Sequence, residues 1–413
     1  MPEFLPFRGI RYRVDDPGAV AAPPYDVIAD DERAALAARH PENAVRLILP
    51  EGGDERYETA ATDLRSWRER GVLVADPAPR FYGYRMDFRD DQGRPRATVG
   101  VLGTLRLPDQ PDGTEQPTTK GVLPHERTLA KTKGDRLALL RATRANLDPI
   151  WGLSLAPGLS TLVEPRGAAL VVSTDGDGVE HRLFDLADDD QIAAVRDALA
   201  GAPVVLADGH HRFETAIAYR GEQRASGHPR PGDDFILCLA VELADEQLCV
   251  RAIHRLLSGL PPGFDLRRTL GDAFEVRPAG PNTPEAIDTV QAAMIGSGAL
   301  GLVDERGLAL LVPGAAATEA LQEVPEPLRA IDAARFEAVL LPTLPGPQVT
   351  YRNDAATVAA LVEKGVAQAA VLLRPVTVAH IHAAAVAGLR MPQKTTFFEP
   401  KPRTGLVLRS LDL

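Results

Sequence analysis

Cysteine is nearly absent: Cys238 and Cys249 are the only two in 413 residues, and both sit inside apolar runs. A disulfide framework and a cysteine metal site are thereby set aside, and a reducing cytoplasm is the expected setting. Long apolar runs are missing as well. No stretch approaches the roughly 18 apolar residues that a membrane helix needs. The opening Met-Pro-Glu-Phe-Leu-Pro-Phe-Arg lacks a basic start followed by an apolar core. The expectation is a cytoplasmic protein, not exported and with no membrane partner. Positive charge is also short, the formal net charge being −11. Nucleic-acid binders gain affinity by neutralising phosphates with Lys and Arg, so nucleic acid is set aside as a general partner. Three catalytic signatures are missing too: the Walker A loop, the Gly-x-Ser-x-Gly elbow and His-Glu-x-x-His. The Gly-x-Gly-x-x-Gly match at Gly296 to Gly301 follows a helix-like run and precedes a strand-like one, the reverse of a dinucleotide fingerprint. It reads as a turn.

What is present is an ordinary globular balance, 45% hydrophobic and 25% charged, in a chain long enough for two domains or one elaborated core. The pattern predicts an α+β fold of mixed sheets with surrounding helices. Helices are expected at Asp30 to Arg39, Glu55 to Arg70, His125 to Arg144, Asp190 to Ala200 and His210 to Arg220. Strands are expected at Ala44 to Leu49, Ala168 to Ser173, Glu180 to Asp185 and Pro203 to Ala207. Two hairpins are expected, Phe81 to Phe88 with Thr98 to Arg106, and Phe235 to Leu243 with Gln247 to Ile253, the second placing both cysteines in one sheet. Pro108 to Pro117 reads as a loop. Residues 1–260 form the expected phosphate- and substrate-binding core and 261–390 an α/β accessory domain. Residues 391–413 regain basic and aromatic character and are expected to return to the core.

The most informative segment is Pro203 to Ala216, where an apolar strand ends at Asp208-Gly209 and a helix begins with His210-His211-Arg212. A helix start carries free N–H groups and a positive dipole end, which favours anions. Gly209 permits close approach of a ligand to the backbone, Arg212 can fork onto phosphate oxygens, and the histidines exchange protons near neutral pH. Asp208 can hold Mg²⁺ or act as a base. In the plainer reading Asp208 is an N-cap and the next residues are a solvated first turn. His210 and Glu214 lie one turn apart on one face, but no third ligand is spaced for zinc.

Two more clusters stand out. Basic residues dominate His125 to Asn146, with Glu126, Lys131, Arg136, Arg141 and Arg144, in a chain that is acidic overall, and Lys394 to Arg403 is a second basic segment stiffened by prolines. The bland alternative for the first is a solvated helix. The N-terminal part offers Arg8, then Tyr25-Asp26 behind two prolines, then Asn43 and Arg46. The prolines fix the backbone, which suits a carboxylate presented in one orientation, or simply a structural turn.

Asp208-Gly209-His210-His211-Arg212 resembles the signature of the ParB and sulfiredoxin-like superfamily. The fuller set of blocks is similar to a bacterial and archaeal family that includes pyrophosphate-dependent serine kinases. Those blocks are Ala22 to Ile28, Asn43 to Leu47, His125 to Leu129, Leu139 to Asn146, the Asp-Gly-His-His-Arg helix start, and Met391 to Thr396. The resemblance implies a ParB/sulfiredoxin-like core with large elaborations. It also implies transfer of a phosphoryl group from pyrophosphate to the hydroxyl of free L-serine, giving O-phosphoserine, with Mg²⁺ as charge shield. Asp208, Asp26 and His210 are the implied catalytic set; of the two carboxylates one is the base and the other a Mg²⁺ holder, with Asp208 the metal candidate. Arg8, Tyr25, Asn43, Arg46, His125, Glu126, Lys131, Arg136, Arg141, Gly209, His211, Arg212, Glu214, Thr215 and Lys394 are the implied binding set. Phosphoryl transfer needs positioned oxygens, neutralised charge and a base, which these residue types supply. The rival readings are a ParB-type nucleotide switch on DNA, a metal-dependent hydrolase using His210, His211 and Glu214, and a kinase of the same fold with ADP or ATP as donor. The oligomeric state is left open.

Overall fold

In a computed structural model of the chain, residues 2–109, 121–124 and 133–412 are described. They form two compact units, one of Met1–Pro124, Thr128–Cys249 and Pro400–Leu413, the other chiefly Val250–Glu399. The class is mixed α and β.

The first unit is organised by a nine-stranded sheet. Its strands are β1 (Phe4–Leu5), β2 (Phe81–Arg89), β3 (Pro95–Arg106), β4 (Val122–Pro124), β5 (Ile150–Ser154), β6 (Val171–Thr174), β7 (Glu180–Leu186), β8 (Val204–Asp208) and β9 (Phe235–Glu242). They run in the order β4-β8-β5-β9-β3-β2-β7-β6, with β1 also on β3. β8 is parallel to β4, β5 is parallel to β9, and the other pairings are antiparallel. The β2/β3 hairpin has the expected limits within a few residues. Central strands such as β5 and β9 are buried almost throughout, which accounts for their continuous apolar runs. Helices α1 (Asp30–Arg39), α2 (Arg56–Glu69), α3 (Lys133–Thr143) and α4 (His210–Ala225) belong to this unit. Phe213, Ala216 and Ile217 of α4, at three- and four-residue spacing, pack with Val204 and Leu206 of β8 in one core.

Two expectations are corrected. Ala44 to Leu49 is not a strand: Val45–Ile48 forms a single helical turn. Three apolar residues around one arginine fit either state, and the decision comes from Asn43. Its side-chain amide donates to the carbonyls of Ala19 at 2.7 Å and Ala21 at 3.3 Å, while its oxygen accepts the Val45 N–H at 2.9 Å, starting the turn. The second correction concerns the two cysteines. β9 pairs with β3 and β5, so it has no hairpin partner in the following segment, and Cys249–Arg251 pairs instead with Phe397–Glu399. The loop expected at Pro108 to Pro117 falls largely outside the described residues, as does the first part of the helix expected from His125.

The second unit holds a six-stranded antiparallel sheet of β10 (His254–Ser258), β11 (Phe274–Gly280), β12 (Leu300–Asp304), β13 (Gly307–Pro313), β14 (Gln348–Arg352) and β15 (Ala369–Leu372). The order β11-β13-β12-β15-β10-β14 has an internal symmetry. On one side β13 lies between the two strands joined by α5 (Pro284–Ser297); on the other β10 lies between the two joined by α6 (Ala355–Glu363). Ile287, Val290 and Met294 of α5 and Val358, Ala359 and Val362 of α6 share one core with the sheet. Gly298, at φ 71°, closes α5 before β12, so the Gly296 to Gly301 segment is a helix end and a turn.

Residues 400–412 thread back through the first unit. Thr404 bridges Ala22, Leu408 bridges Ile10, and Arg409–Ser410 pairs with Ala145–Asn146. The buried Arg409 guanidinium donates to Asn146 Oδ1 at 3.0 Å and to the carbonyls of Phe235 and Gly232 at 2.7 and 2.8 Å.

Because Asn43 is fully buried, Asn43→Ala strands three backbone groups at once. A loss on the order of 3 kcal/mol is expected, from unsatisfied buried polar groups at about 1–3 kcal/mol each with partial relaxation. Urea unfolding checks this; a loss below about 1 kcal/mol would show that the Val45 turn forms without it.

Candidate functional site

The site begins at the end of β8. Between Leu206 and Asp208 the register against β5 slips by one residue, since Leu206 faces Gly152 while Asp208 faces Trp151. Such a bulge re-aims the following side chain. Gly209 then adopts φ 88°, and a Cβ there would lie 2.9 Å from the Ile150 side chain and 3.0 Å from the Arg212 guanidinium. Glycine is required on both counts. α4 starts at His210 with Gly209, which has no side chain, at its N-cap. The plain N-cap reading of Asp208 is therefore not what the geometry shows.

Asp208 is held between two cations instead. Lys401 Nζ donates to Oδ1 at 2.5 Å and Arg212 Nη2 to Oδ2 at 2.9 Å. The other Arg212 terminal nitrogen donates to Asp148 Oδ2 at 2.5 Å and to the Pro149 carbonyl at 2.6 Å. Burial alone would favour the neutral acid, but Lys401 and Arg212, with His210 nearby, hold the Asp208 carboxyl well below the usual carboxylate range. Asp148 behaves differently: burial pushes its carboxyl up, against the attraction of Arg212 and Arg136 and with Asp26 and Asp208 adding repulsion. Two carboxylates on one arginine are thus driven apart in acidity.

Tyr25 forms the side wall. Its ring carries the Arg136 guanidinium at 4.3 Å and that of Arg212 at 5.9 Å. Burial raises the phenol to about 12, with Arg212 opposing and Asp26 assisting. Arg136 is anchored by donating to the Ile48 carbonyl at 2.7 Å. Below these groups lies a cavity of about 50 Å³ lined by Arg136, Asp148, Arg212 and Thr215 together with apolar residues such as Leu139 and Ile236. The arrangement gathers three cations, Arg136, Arg212 and Lys401, around three carboxylates, Asp26, Asp148 and Asp208. An incoming polyanion can take over these cations by exchanging one set of ion pairs for another.

A profile of the family described as protein of unknown function DUF1015 matches residues 4–334. The chain belongs to that family. No curated protein matches the chain. Among solved structures it is similar to a conserved hypothetical protein from Pyrococcus furiosus, at 14% identity and a TM-score of 0.35, covering 71% of this chain and 93% of that one. It is also similar to a free serine kinase in complex with AMP, at 14% identity and a TM-score of 0.36, covering 71% and 92%. A third is C-terminally truncated SbnI from Staphylococcus aureus, at 12% identity and a TM-score of 0.34, covering 68% and 81%.

Of the residues singled out in the sequence, the structure brings together Tyr25, Asp26, Arg136, Asp208, Gly209, His210, Arg212 and Thr215. His211 and Glu214 lie half-buried on the first turns of α4. Other members of the set have different partners. Arg8 donates to the Asp76 carbonyl at 3.1 Å, Arg46 to the Ala37 carbonyl at 3.0 Å, and Arg141 pairs with Glu222 on the surface. Asn43 organises the Val45 turn. Lys394 is in the second unit, exposed, with φ 55°. His125, Glu126 and Lys131 lie outside the described residues. Asp148 and Lys401 are not among the residues singled out: Asp148 directly precedes a proline, which by itself reads as a chain break, and Lys401 is one of several charges in a basic segment.

Lys401→Met leaves a buried carboxylate on one cation, and a destabilisation on the order of 3 kcal/mol is expected at pH 7. Because the folded Asp208 carboxyl is depressed, this contribution is present above the unfolded carboxylate range and lost as pH falls, so the deficit should shrink towards pH 3. Urea unfolding of Lys401→Met, Asp208→Asn and the double variant measures the coupling, which vanishes if the pair does not form in solution.

Proposed function

We propose that this protein is a small-molecule kinase that transfers a phosphoryl group from pyrophosphate to the hydroxyl of free L-serine. The observation that carries the reading is the Lys401–Asp208–Arg212 arrangement at the start of α4. Lysine and arginine held on an aspartate at the positive end of a helix form a preorganised receptor for phosphate oxygens. The acceptor and donor come from the resemblance of the sequence blocks, as does a ParB/sulfiredoxin-like origin for the core.

In the proposed reaction the serine oxygen forms a bond to one phosphorus of pyrophosphate while the bridging P–O bond breaks and orthophosphate leaves. The hydroxyl proton passes to a carboxylate. Asp208 is a poor proton acceptor while two cations hold it, so its part is to orient Lys401 and Arg212 and release them to the donor. Asp26, exposed and within electrostatic reach of Tyr25, Arg212 and Asp148, is the proposed base. Mg²⁺ does not fit on Asp208 as arranged, because both oxygens already face a cation. Among the described residues no group of three or more His, Cys, Asp or Glu side chains is placed to hold a metal. No step is assigned to Mg²⁺, which belongs with the donor's phosphates in the assay.

Purified protein with Mg²⁺ and L-serine, offered pyrophosphate, ADP or ATP separately, is expected to give O-phosphoserine by mass spectrometry with pyrophosphate. Product with a nucleotide alone keeps the reaction and changes the donor; no product with any donor ends the serine kinase reading. Asp208→Asn is expected to reduce turnover by at least about 100-fold with the fold intact, given the size of electrostatic preorganisation effects. Arg212→Ala should raise KM for the donor more than for serine, and equal increases would remove its phosphate role. Asp26→Asn turning over at the wild-type rate would pass the base role to Glu126 or Glu214.

A further inference from the structure

The cation that completes the site is delivered by a strap, Pro400 to Thr404, and a buried hydrogen-bond chain fixes that strap. Arg403 donates its backbone N–H to the Tyr84 hydroxyl at 3.0 Å. The same hydroxyl lies 2.8 Å from His181 Nδ1, and His181 Nε2 lies 3.1 Å from Asp175 Oδ2. Tyr84 and His181 are buried, His181 completely, and Asp175 is half-buried with its side chain largely covered. Their directions can be worked out. An ionised Asp175 can only accept, so Nε2 carries the proton of the neutral ring and donates to it; Nδ1 is then bare and accepts the Tyr84 hydroxyl proton, while the hydroxyl oxygen accepts from Arg403. Asp175 is fixed in turn by accepting the N–H groups of Asp177 and Val179 through its other oxygen, at 2.9 and 3.0 Å. Burial holds the His181 imidazole below its ordinary value, in keeping with a neutral ring.

We infer that Tyr84 is a positioning residue for Lys401, acting through the relay Asp175–His181–Tyr84 and the Arg403 backbone. Only Pro402 separates the residue that Tyr84 grips from the residue that grips Asp208, and Pro400 lies on the other side of Lys401. Both prolines lock φ, so a fixed Arg403 amide fixes the start of the Lys401 side chain. The bridge between Thr404 and Ala22, with N–H to O distances of 2.8 and 3.0 Å, ties the same strap to the segment that leads into Tyr25 and Asp26. Its antiparallel register carries Lys401 towards Tyr25, three residues from the bridge on each strand. None of the relay residues carries a motif, and none belongs to the set of charged side chains around Asp208. Their contribution is to hold a flexible lysine in the one place where it meets Asp208 before any ligand arrives, which lowers the ordering cost of binding.

The inference rests on the kinase reading only for what Lys401 is positioned to do, so its test reads the lysine itself. The chain has six lysines, few enough for Nζ spectra of lysine-labelled full-length protein, with Lys401→Arg identifying the signal. In the wild type the Lys401 ammonium is expected as a separate, exchange-protected resonance. Tyr84→Phe, which keeps the ring and removes the hydroxyl, should move it to the solvent-exposed set and weaken pyrophosphate binding by calorimetry about fivefold, the equivalent of one lost hydrogen bond. Leu199→Ala, a core truncation far from the strap in sequence, controls for general destabilisation. An unchanged Lys401 resonance in Tyr84→Phe, or an equal loss in Leu199→Ala, overturns the inference. A wild-type protein with the expected lysine spectrum and no turnover would sink the kinase reading and leave the relay standing.

Discussion

Asp208 is an ionised carboxylate at the end of a buried strand, and its surroundings are intelligible as the means of keeping it charged there. An uncompensated charge at that depth would neutralise itself by taking up a proton. Two cations prevent this, one from the next turn of chain and one from far away in sequence. The bulge in β8 aims the carboxylate, Gly209 lets α4 start against it, and Asp148 and the Pro149 carbonyl hold Arg212 square to it. A charge network balanced in this way is also responsive, because each pairing can be exchanged for an equivalent pairing with an anion.

The scaffold behind the network is rigid for ordinary reasons. β8 and β5 lie inside a sheet that packs against the helix Arg212 belongs to, so Asp208, Asp148 and Arg212 stand on or beside elements that share one apolar core. Tyr25 is set by prolines and by the bridge from Ala22 to Thr404, and Arg136 by the Ile48 carbonyl. The helical turn that presents Ile48 depends on Asn43. Side chains that touch no phosphate candidate therefore decide where the cations stand.

How much of this the sequence disclosed depends on distance along the chain. The strand, Asp-Gly turn and helix at Val204 to Ala225 were legible, since an apolar run ending in Asp-Gly before a helical pattern is a local signal. The β2/β3 hairpin and the helices at Asp30 and Arg56 were legible on the same grounds. The turn at Val45 to Ile48 was not, because three apolar residues around an arginine have no readable period and a tertiary hydrogen-bonding side chain decided the outcome. β9 was given the wrong neighbour because its partners, β3 and β5, are remote in sequence while the nearer segment was also apolar. Asp148 and Lys401 could not be tied to the Asp208 segment for the same reason. An ion pair spanning 193 residues has no spacing to recognise. Conversely, Arg8, Arg46 and Asn43 looked like ligand-binding groups, yet their described partners are backbone groups of the chain itself.

That separation has a meaning for how the molecule comes into being. During synthesis Asp208 leaves the ribosome with Arg212 a few residues behind it, while Lys401 follows only after nearly two hundred more residues. Until then the carboxylate has half of its counter-charge, and the strap that will carry the other half does not exist. Loop closure over such a length costs entropy that grows only slowly with length, so the delay is kinetic more than energetic. The nascent first unit is thus expected to pass through a stage in which its sheet is formed and its anion receptor is not, so that binding competence arrives late and all at once.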